Sequence, residues 1–133
     1  MEDQLASLEA YVQGIRGALE FLREQHAIRD RPFYVKFHPE QDPEVTARIA
    51  EALNGVLGPE QYGVLDDSHI IECLLWNSRN ISVLTSFSSS GFYAHQAGHT
   101  VFSFARRVAQ HDQSYESSLF FLFPDYAKAV IQV

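Results

Sequence analysis

Apolar residues recur at intervals of three and four through the first segment of the chain, residues 2–26. This spacing places them on one stripe of an amphipathic helix. Gly14 and Gly17 lie inside the segment, and each costs about 1 kcal/mol of helix stability relative to Ala. Residues 27–32 are charged and end in Pro32, which is typical of a connector. We therefore predict an N-terminal helix whose buried stripe consists of Leu5, Leu8, Val12, Ile15, Leu19 and Leu22.

Beyond residue 32 the pattern changes to short apolar runs that are rich in aromatic and β-branched residues. Such runs, bounded by Gly, Pro and Asp, are typical of buried strands. They predict five strands, at residues 33–37, 62–65, 81–85, 100–104 and 119–123.

Helix signals lie between these strands. Asp42 and Pro43 are suited to the N-cap and the first position of a helix that ends at Gly58. Residues 92–98 predict a short helix that stops at its last residue, a Gly. Pro124 can open a final helix. The apolar positions expected on the buried face of the first of these helices are Val45, Ile49, Leu53 and Val56 or Leu57.

A further helix is predicted after the second strand and runs to about Asn77. Asp66, Asp67 and Ser68 precede it, and their side-chain oxygens can cap its first turn. The side chains expected to face inward from this helix are Ile70, Ile71, Leu74 and Leu75.

Strands and helices therefore alternate along the whole chain. This alternation favours an α/β fold with a mostly parallel sheet covered by helices, that is, a Rossmann-like three-layer sandwich. The length of 133 residues suits a single domain.

Charge and composition exclude several classes of protein. The chain has 10 basic and 17 acidic residues and a formal net charge of −7, which argues against nucleic acid as a partner. No apolar run reaches the length of a membrane span, and the acidic N-terminus is unlike a signal peptide. The lone Cys73 allows neither an internal disulfide nor a Cys-rich zinc site. We expect a cytoplasmic protein without a membrane span.

Candidate chemistry is concentrated in the segments that follow the first three strands. Lys36, His38 and Pro39 follow the first, Glu72 lies in the helix after the second, and a Ser-rich run follows the third. The carboxyl ends of parallel strands meet at one edge of a sheet, where ligands bind. We therefore expect these three loops to lie along one edge.

The Ser-rich run has the composition of a phosphate site. Its hydroxyls and backbone N–H groups, placed before a helix, favour a bound anion. Ser88, Ser89, Ser90 and Gly91 form this run, and the same residues would also suit an ordinary turn and N-cap with no ligand.

The other candidates have alternative explanations as well. His38 can donate a proton or a hydrogen bond to a phosphate, with Lys36 beside it, or it can simply cap a turn. Glu72 can accept hydrogen bonds from ribose hydroxyls, or it can lie on the solvated face of its helix.

Residues elsewhere in the chain make weaker candidates. His95 and His99 are four residues apart, but Gly98 interrupts their helix and no third ligand is suitably spaced, so we expect no metal site. Cys73 has apolar neighbours and is expected in the core. The aromatic residues Trp76, Phe92 and Tyr93 are expected to pack in the interior, and no cofactor is indicated.

The order of these motifs resembles a known family. Lys36-Phe37-His38-Pro39, then Glu72, then Ser88-Ser89-Ser90 before Gly91-Phe92-Tyr93-Ala94 is similar to the carboxyl-terminal, nucleotide-sugar-binding half of bacterial sialyltransferases, polysialyltransferases and related capsule-polysaccharide glycosyltransferases. Those enzymes have two Rossmann-like domains facing a cleft, the GT-B arrangement. The resemblance covers residues 33–104.

The resemblance implies a role for each residue. His38 would contact or protonate the phosphate that leaves the sugar, and Ser89 and Ser90, together with Ser88, would hold that phosphate. Glu72 would bind the ribose of a nucleotide-sugar donor, for which CMP-linked donors are favoured. The whole chain, 1–133, would be one donor-binding domain, with the helix and connector in 1–30 and the α/β core in 33–133.

One departure from the family limits the expected activity. The general base of the family lies in an acidic motif of its amino-terminal domain, which has no counterpart in this sequence. We therefore expect donor binding without transfer by this chain alone, and a partner domain, or a homodimer formed through the N-terminal helix. Two alternatives stay open: a non-catalytic nucleotide-sensing or protein-interaction module, and a small hydrolase that uses His38 and a carboxylate.

Overall fold

Helices and strands alternate in the computed structural model, which describes residues 8–25, 32–38, 40–58, 61–66, 68–86, 89–112 and 130–133. This alternation confirms the predicted α/β class. The elements are α1 (Leu8–Gln25), β1 (Tyr34–Lys36), α2 (Pro43–Leu57), β2 (Gly63–Leu65), α3 (Ile71–Trp76), β3 (Ser82–Thr85), α4 (Ser89–Gln96), β4 (Thr100–Ser103), α5 (Ala105–His111) and β5 (Ile131–Gln132).

Every strand pair within the described ranges is parallel, as predicted. The strands do not form one sheet, however. β1 pairs with β2, with Val35 opposite Val64, and a separate sheet has the order β3-β4-β5, with Leu84 opposite Phe102. Parallel neighbours need a crossover connection, and α2 and α4 provide it for the pairs β1–β2 and β3–β4.

The predicted signals for the ends of α2 are confirmed. Asp42 is the N-cap, and its Oδ1 accepts a hydrogen bond from the backbone N–H of Glu44 at 2.8 Å, with Pro43 in the first helical position. The helix ends at Gly58, whose φ of +88° is readily adopted only by Gly, and whose N–H donates to the carbonyl of Asn54.

The predicted stripe of α1 is buried from Val12 to Leu22, Leu8 is half-buried, and Leu5 lies outside the described residues. The stripe packs against α2 and α5, where Gly14 lies directly against Val108 and lets α1 and α5 approach closely. No helix among the described residues has both the length and the apolar character needed to cross a bilayer. The core that these helices share contains Ala10, Ile15, Ala18, Leu19, Ile49, Leu53, Val56, Phe104, Ala105, Val108 and Ala109.

A second, smaller core lies between the three-stranded sheet and the pair α3 and α4. It consists of Leu75, Ala94, Val101 and Val130. In β3, Val83 packs against this second core, whereas the next residue, Leu84, packs against the first. Because neighbouring residues of a strand point to opposite faces, this sheet has helices on both sides.

Two elements lie where the sequence pattern predicted none. α5 has a buried face at Ala105, Val108 and Ala109, a helical spacing that is easily overlooked because the helix has only seven residues and its N-cap, Phe104, makes no side-chain capping bond. β5 has two residues, too few to show alternation. The strand predicted at 119–123 and the helix predicted from Pro124 lie outside the described residues.

Candidate functional site

The candidate residues lie where strands end and helices begin. Lys36 is the last residue of β1, and His38 lies in the loop before α2. Glu72 is the second residue of α3, which follows β2. Ser89 and Ser90 are the first two residues of α4, which follows β3. Each of the first three strands therefore leads to one candidate group.

The imidazole of His38 is exposed and has a defined orientation. Its Nδ1 accepts a hydrogen bond from the backbone N–H of Glu40 at 3.1 Å, and its carbonyl accepts one from the N–H of Gln41 at 3.0 Å. When Nδ1 of a neutral ring is an acceptor, the proton is on Nε2. The ring thus combines a turn-capping role with an Nε2–H donor.

Of the other two residues of the first candidate loop, Lys36 is within the described part of the chain. Lys36 is half-buried, and its ammonium group donates to the carbonyl of Phe37 at 3.4 Å. This places the only cation of the first candidate loop close to the end of β1. Pro39 lies outside the described residues.

The Ser-rich segment enters α4 directly. Ser90 is half-buried, Gly91 is buried, and the first turn of the helix contains no acidic residue. A helix N-terminus carries a partial positive charge, so the absence of acidic side chains preserves its attraction for an anion. Ser88 lies outside the described residues.

A buried hydroxyl joins the ends of β3 and β4. The Oγ of Ser103 donates to the carbonyl of Ser86 at 2.7 Å and accepts from the N–H of Ala105 at 3.2 Å. Ser86 and Ser103 are both buried. This link positions the start of the Ser-rich segment. One sequence feature could have indicated this link, namely that Ser103 is a polar residue between two Phe residues in a predicted strand.

A turn stabilised by Asp66 follows β2. Its Oδ1 accepts hydrogen bonds from the hydroxyl and the backbone N–H of Ser68 and lies 3.0 Å from Nδ1 of His69. The Ser68 hydroxyl, followed by the Ser68 N–H and by His69, holds the pKa of the Asp66 carboxyl below its usual value. The prediction that this residue group caps α3 is wrong, because the N-cap is Ile70, which makes no side-chain capping bond.

The structure brings the first two candidate loops to one edge. β1 and β2 are paired in parallel with Lys36 opposite Leu65, so the loops that follow them leave the same end of one sheet. Ser89 and Ser90 follow β3, which belongs to the other sheet. The expectation that all three loops lie along one sheet edge is therefore confirmed for the loops after β1 and β2. It is wrong for the Ser-rich segment, which follows a strand of the other sheet. Glu72 is half-buried in α3, which packs against α4.

His99 has a structural role that the sequence did not reveal. Its ring is buried, with Nδ1 accepting from the N–H of Ile81 at 3.2 Å and Nε2 donating to the carbonyl of Leu75. Both ring nitrogens are therefore occupied. His95 is exposed, and within the described part of the chain no three His, Cys, Asp or Glu side chains are grouped so that they could hold a metal ion.

Several residues expected in the core lie on the surface instead. Cys73 is exposed, and the exposed fraction is 61% for Ile70, 69% for Trp76, 39% for Phe92 and 48% for Tyr93. The run from 70 to 75 is apolar almost throughout, so periodicity could not show which of its positions face inward. Leu75 occupies the fully buried position.

Comparison of the chain with protein-family models, curated proteins and solved structures found no match. The case for a function therefore depends on the placement of the candidate residues and on the resemblance of their motifs.

Proposed function

We propose that this chain is the donor-binding domain of a GT-B glycosyltransferase of surface-polysaccharide synthesis, acting in the cytoplasm on a nucleotide sugar, with a CMP-linked donor favoured. The observation that carries this proposal is the placement of His38, Glu72 and Ser89–Ser90 after three successive strands, two in one sheet and the third in the other, in the order that the resemblance requires. Sheet β3-β4-β5, which has helices on both faces, supports a Rossmann-like three-layer arrangement for the core.

The Ser-rich start of α4 would hold the phosphate of the donor. Small residues there let the backbone approach an anion, and the hydroxyls of Ser88, Ser89 and Ser90 supply rotatable donors. The half-buried position of Ser90 supports this role, because a partly desolvated hydrogen bond to a charged group is stronger than an exposed one.

His38 would stabilise the phosphate as it leaves the sugar. The Glu40 N–H at Nδ1 keeps the neutral ring in its Nε2–H form, which is the form that can donate to a phosphate oxygen. Lys36, with Pro39 after His38, would add positive charge and rigidity to the same loop.

Glu72 would accept hydrogen bonds from the two ribose hydroxyls. Its carboxylate is half-buried in the first turn of α3, next to the turn that follows β2. A carboxylate in that position of an α/β fold is well suited to a ribose.

Transfer would need a further group, because an acceptor hydroxyl requires a base. We assign that base to a partner domain. The stripe of α1 is buried against α2 and α5, so a homodimer formed through the N-terminal helix would have to use the exposed residues of α1.

A thermal-shift panel with CMP, UDP, GDP and inorganic phosphate tests the proposal. Ligands that bind the folded state add stability by mass action, about 2.7 kcal/mol at a hundredfold excess over the dissociation constant. We expect CMP to raise Tm most. His38→Ala and the double variant Ser89→Ala/Ser90→Ala should each reduce that increase.

His95→Ala and Ser82→Ala are the matched controls, since both residues are exposed and neither lies in a candidate loop. They should leave the CMP-induced shift unchanged. An equal shift in the wild-type chain, His38→Ala and the Ser double variant would eliminate the proposed site. Hydrolysis of a phosphoester by the chain alone would instead support a small hydrolase.

A further inference from the structure

An apolar stripe runs along the outside of α3. Cys73 and Trp76 are three residues apart in α3, on the side opposite the inward-facing Leu75, and Ile70 is the N-cap residue just before the helix. All three are exposed, with exposed fractions of 61% for Ile70 and 69% for Trp76. This short helix and its N-cap residue thus turn three apolar side chains to solvent.

The neighbouring helix α4 extends this surface. Its buried residues are Gly91 and Ala94, and its opposite side carries the exposed rings of Phe92 and Tyr93. α3 and α4 pack against each other and against the same face of the β3-β4-β5 sheet, so their outer sides form one surface. We call it the α3–α4 outer face, defined by Ile70, Cys73, Trp76, Phe92 and Tyr93.

The charge distribution marks this surface as distinct. The chain has 10 basic and 17 acidic residues, but of these only Glu72 and Arg79 lie between residues 68 and 104. Their charges cancel, so the rest of the chain carries the whole formal net charge of −7. Exposed aromatic rings combined with a depletion of charge are the compositional signature of the centre of a protein–protein interface.

We propose that the α3–α4 outer face binds a second copy of this chain in an isologous homodimer. Two copies with a net charge of −7 repel each other least where their surfaces lack charge, and this face belongs to the segment 68–104, whose formal charges cancel. Homodimer interfaces are more apolar than other protein interfaces, and an apolar, aromatic surface fits that composition. A partner recognised through its charge would instead require charged residues on this surface. A membrane surface would require a basic rim, and Arg79 is the sole cation of this segment. The inference is independent of donor binding.

Native reporters within the face allow a direct test. The chain has one Trp and one Cys, and both belong to the α3–α4 outer face. On dimerisation we expect sedimentation equilibrium to give the mass of two chains. With rising concentration the emission of Trp76 should shift to shorter wavelength, and alkylation of Cys73 should slow. Constant emission, or a mass that stays that of one chain at every soluble concentration, would overturn the proposal.

The variant Trp76→Glu/Tyr93→Glu tests the assignment of the face. Two charges at exposed positions should restore the mass of one chain and leave the far-UV circular dichroism spectrum unchanged. Tyr34→Glu is the matched control, because Tyr34 is a 63% exposed aromatic residue on β1, and it should still dimerise. A double variant that remains dimeric refutes this interface. If the double variant fails to fold, the Trp76 emission and Cys73 alkylation of the native chain still decide the matter.

Discussion

The two cores of this protein are held together in different ways. The first, between α1, α2 and α5, is a large apolar cluster, with Leu19 fully buried at its centre and an edge-to-face contact between Tyr11 and Phe104 at 5.4 Å. The second contains four buried apolar residues. Two buried polar side chains, His99 and Ser103, connect the elements around it.

This difference shows how a small core can be stabilised. α3 and α4 are short, so a large part of their backbone consists of terminal turns whose polar groups need partners outside the helix. The ring of His99 pairs with the carbonyl of Leu75 near the end of α3 and with the N–H of Ile81 before β3. In the second core, satisfying buried polar groups therefore contributes alongside apolar burial.

The largest expected effect comes from removing this polar link. His99→Ala leaves the carbonyl of Leu75 and the N–H of Ile81 without their partner, at a cost of about 1–3 kcal/mol for each group that stays unpaired. We expect a corresponding drop in the free energy of unfolding, measured by urea denaturation. His95→Ala, at an exposed neighbouring position, should change it by no more than about 0.5 kcal/mol. Equal effects of the two substitutions would contradict the role assigned to His99.

A smaller effect is expected from two glycines in the helices around the first core, and its sign should differ between them. A Cβ at Gly14 would lie 2.5 Å from Cγ2 and 3.0 Å from the backbone N of Val108, so Gly14→Ala should separate α1 from α5. The strain exceeds the gain in helix propensity, and we expect a net loss of about 1–2 kcal/mol.

Gly55→Ala is the internal comparison for that variant. Gly55 lies in α2, and a Cβ there meets nothing within 4 Å. The substitution should therefore stabilise the chain by about 0.5–1 kcal/mol. Thermal unfolding followed by circular dichroism would measure both variants, and a stabilising Gly14→Ala would show that the α1–α5 contact is loose.

The smallest effect concerns the exposed turn after β2 and its pH dependence. The pKa of Asp66 is lowered, chiefly by the Ser68 hydroxyl, so the turn is stabilised above the normal carboxyl pKa and loses this contribution as the pH falls through the lowered value. In Ser68→Ala the pKa of Asp66, followed by NMR titration of its carboxyl carbon, should rise towards the usual value.

A matched substitution in α1 controls for general effects on carboxyl groups. The pKa of Glu9 is also lowered, first by a hydrogen bond from Gln13 and then by one from Arg48. Gln13→Ala should raise the pKa of Glu9 and leave that of Asp66 unchanged. If Ser68→Ala raised both values, the local origin of the Asp66 shift would be disproved.

Strongly periodic and well-capped elements could be predicted from the sequence. The stripe of α1 from Val12 to Leu22, the Asp42 cap of α2 and the stop at Gly98 all depend on neighbouring residues, and all are confirmed. The outward position of Ile70 and Trp76 could not be predicted, because a uniformly apolar run has no preferred face until a sheet covers one side of it.

Local chemistry and the order of the first four strands were thus determined by the amino-acid sequence alone: where these strands end, which polar groups follow them and where charge is missing. Tertiary structure decided that the strands divide into two sheets, that His99 has both nitrogens engaged inside the molecule, and that the aromatic rings of α3 and α4 face solvent. The reason is physical. Caps and periodicity act over a few residues, whereas sheet pairing and burial join residues distant in the chain.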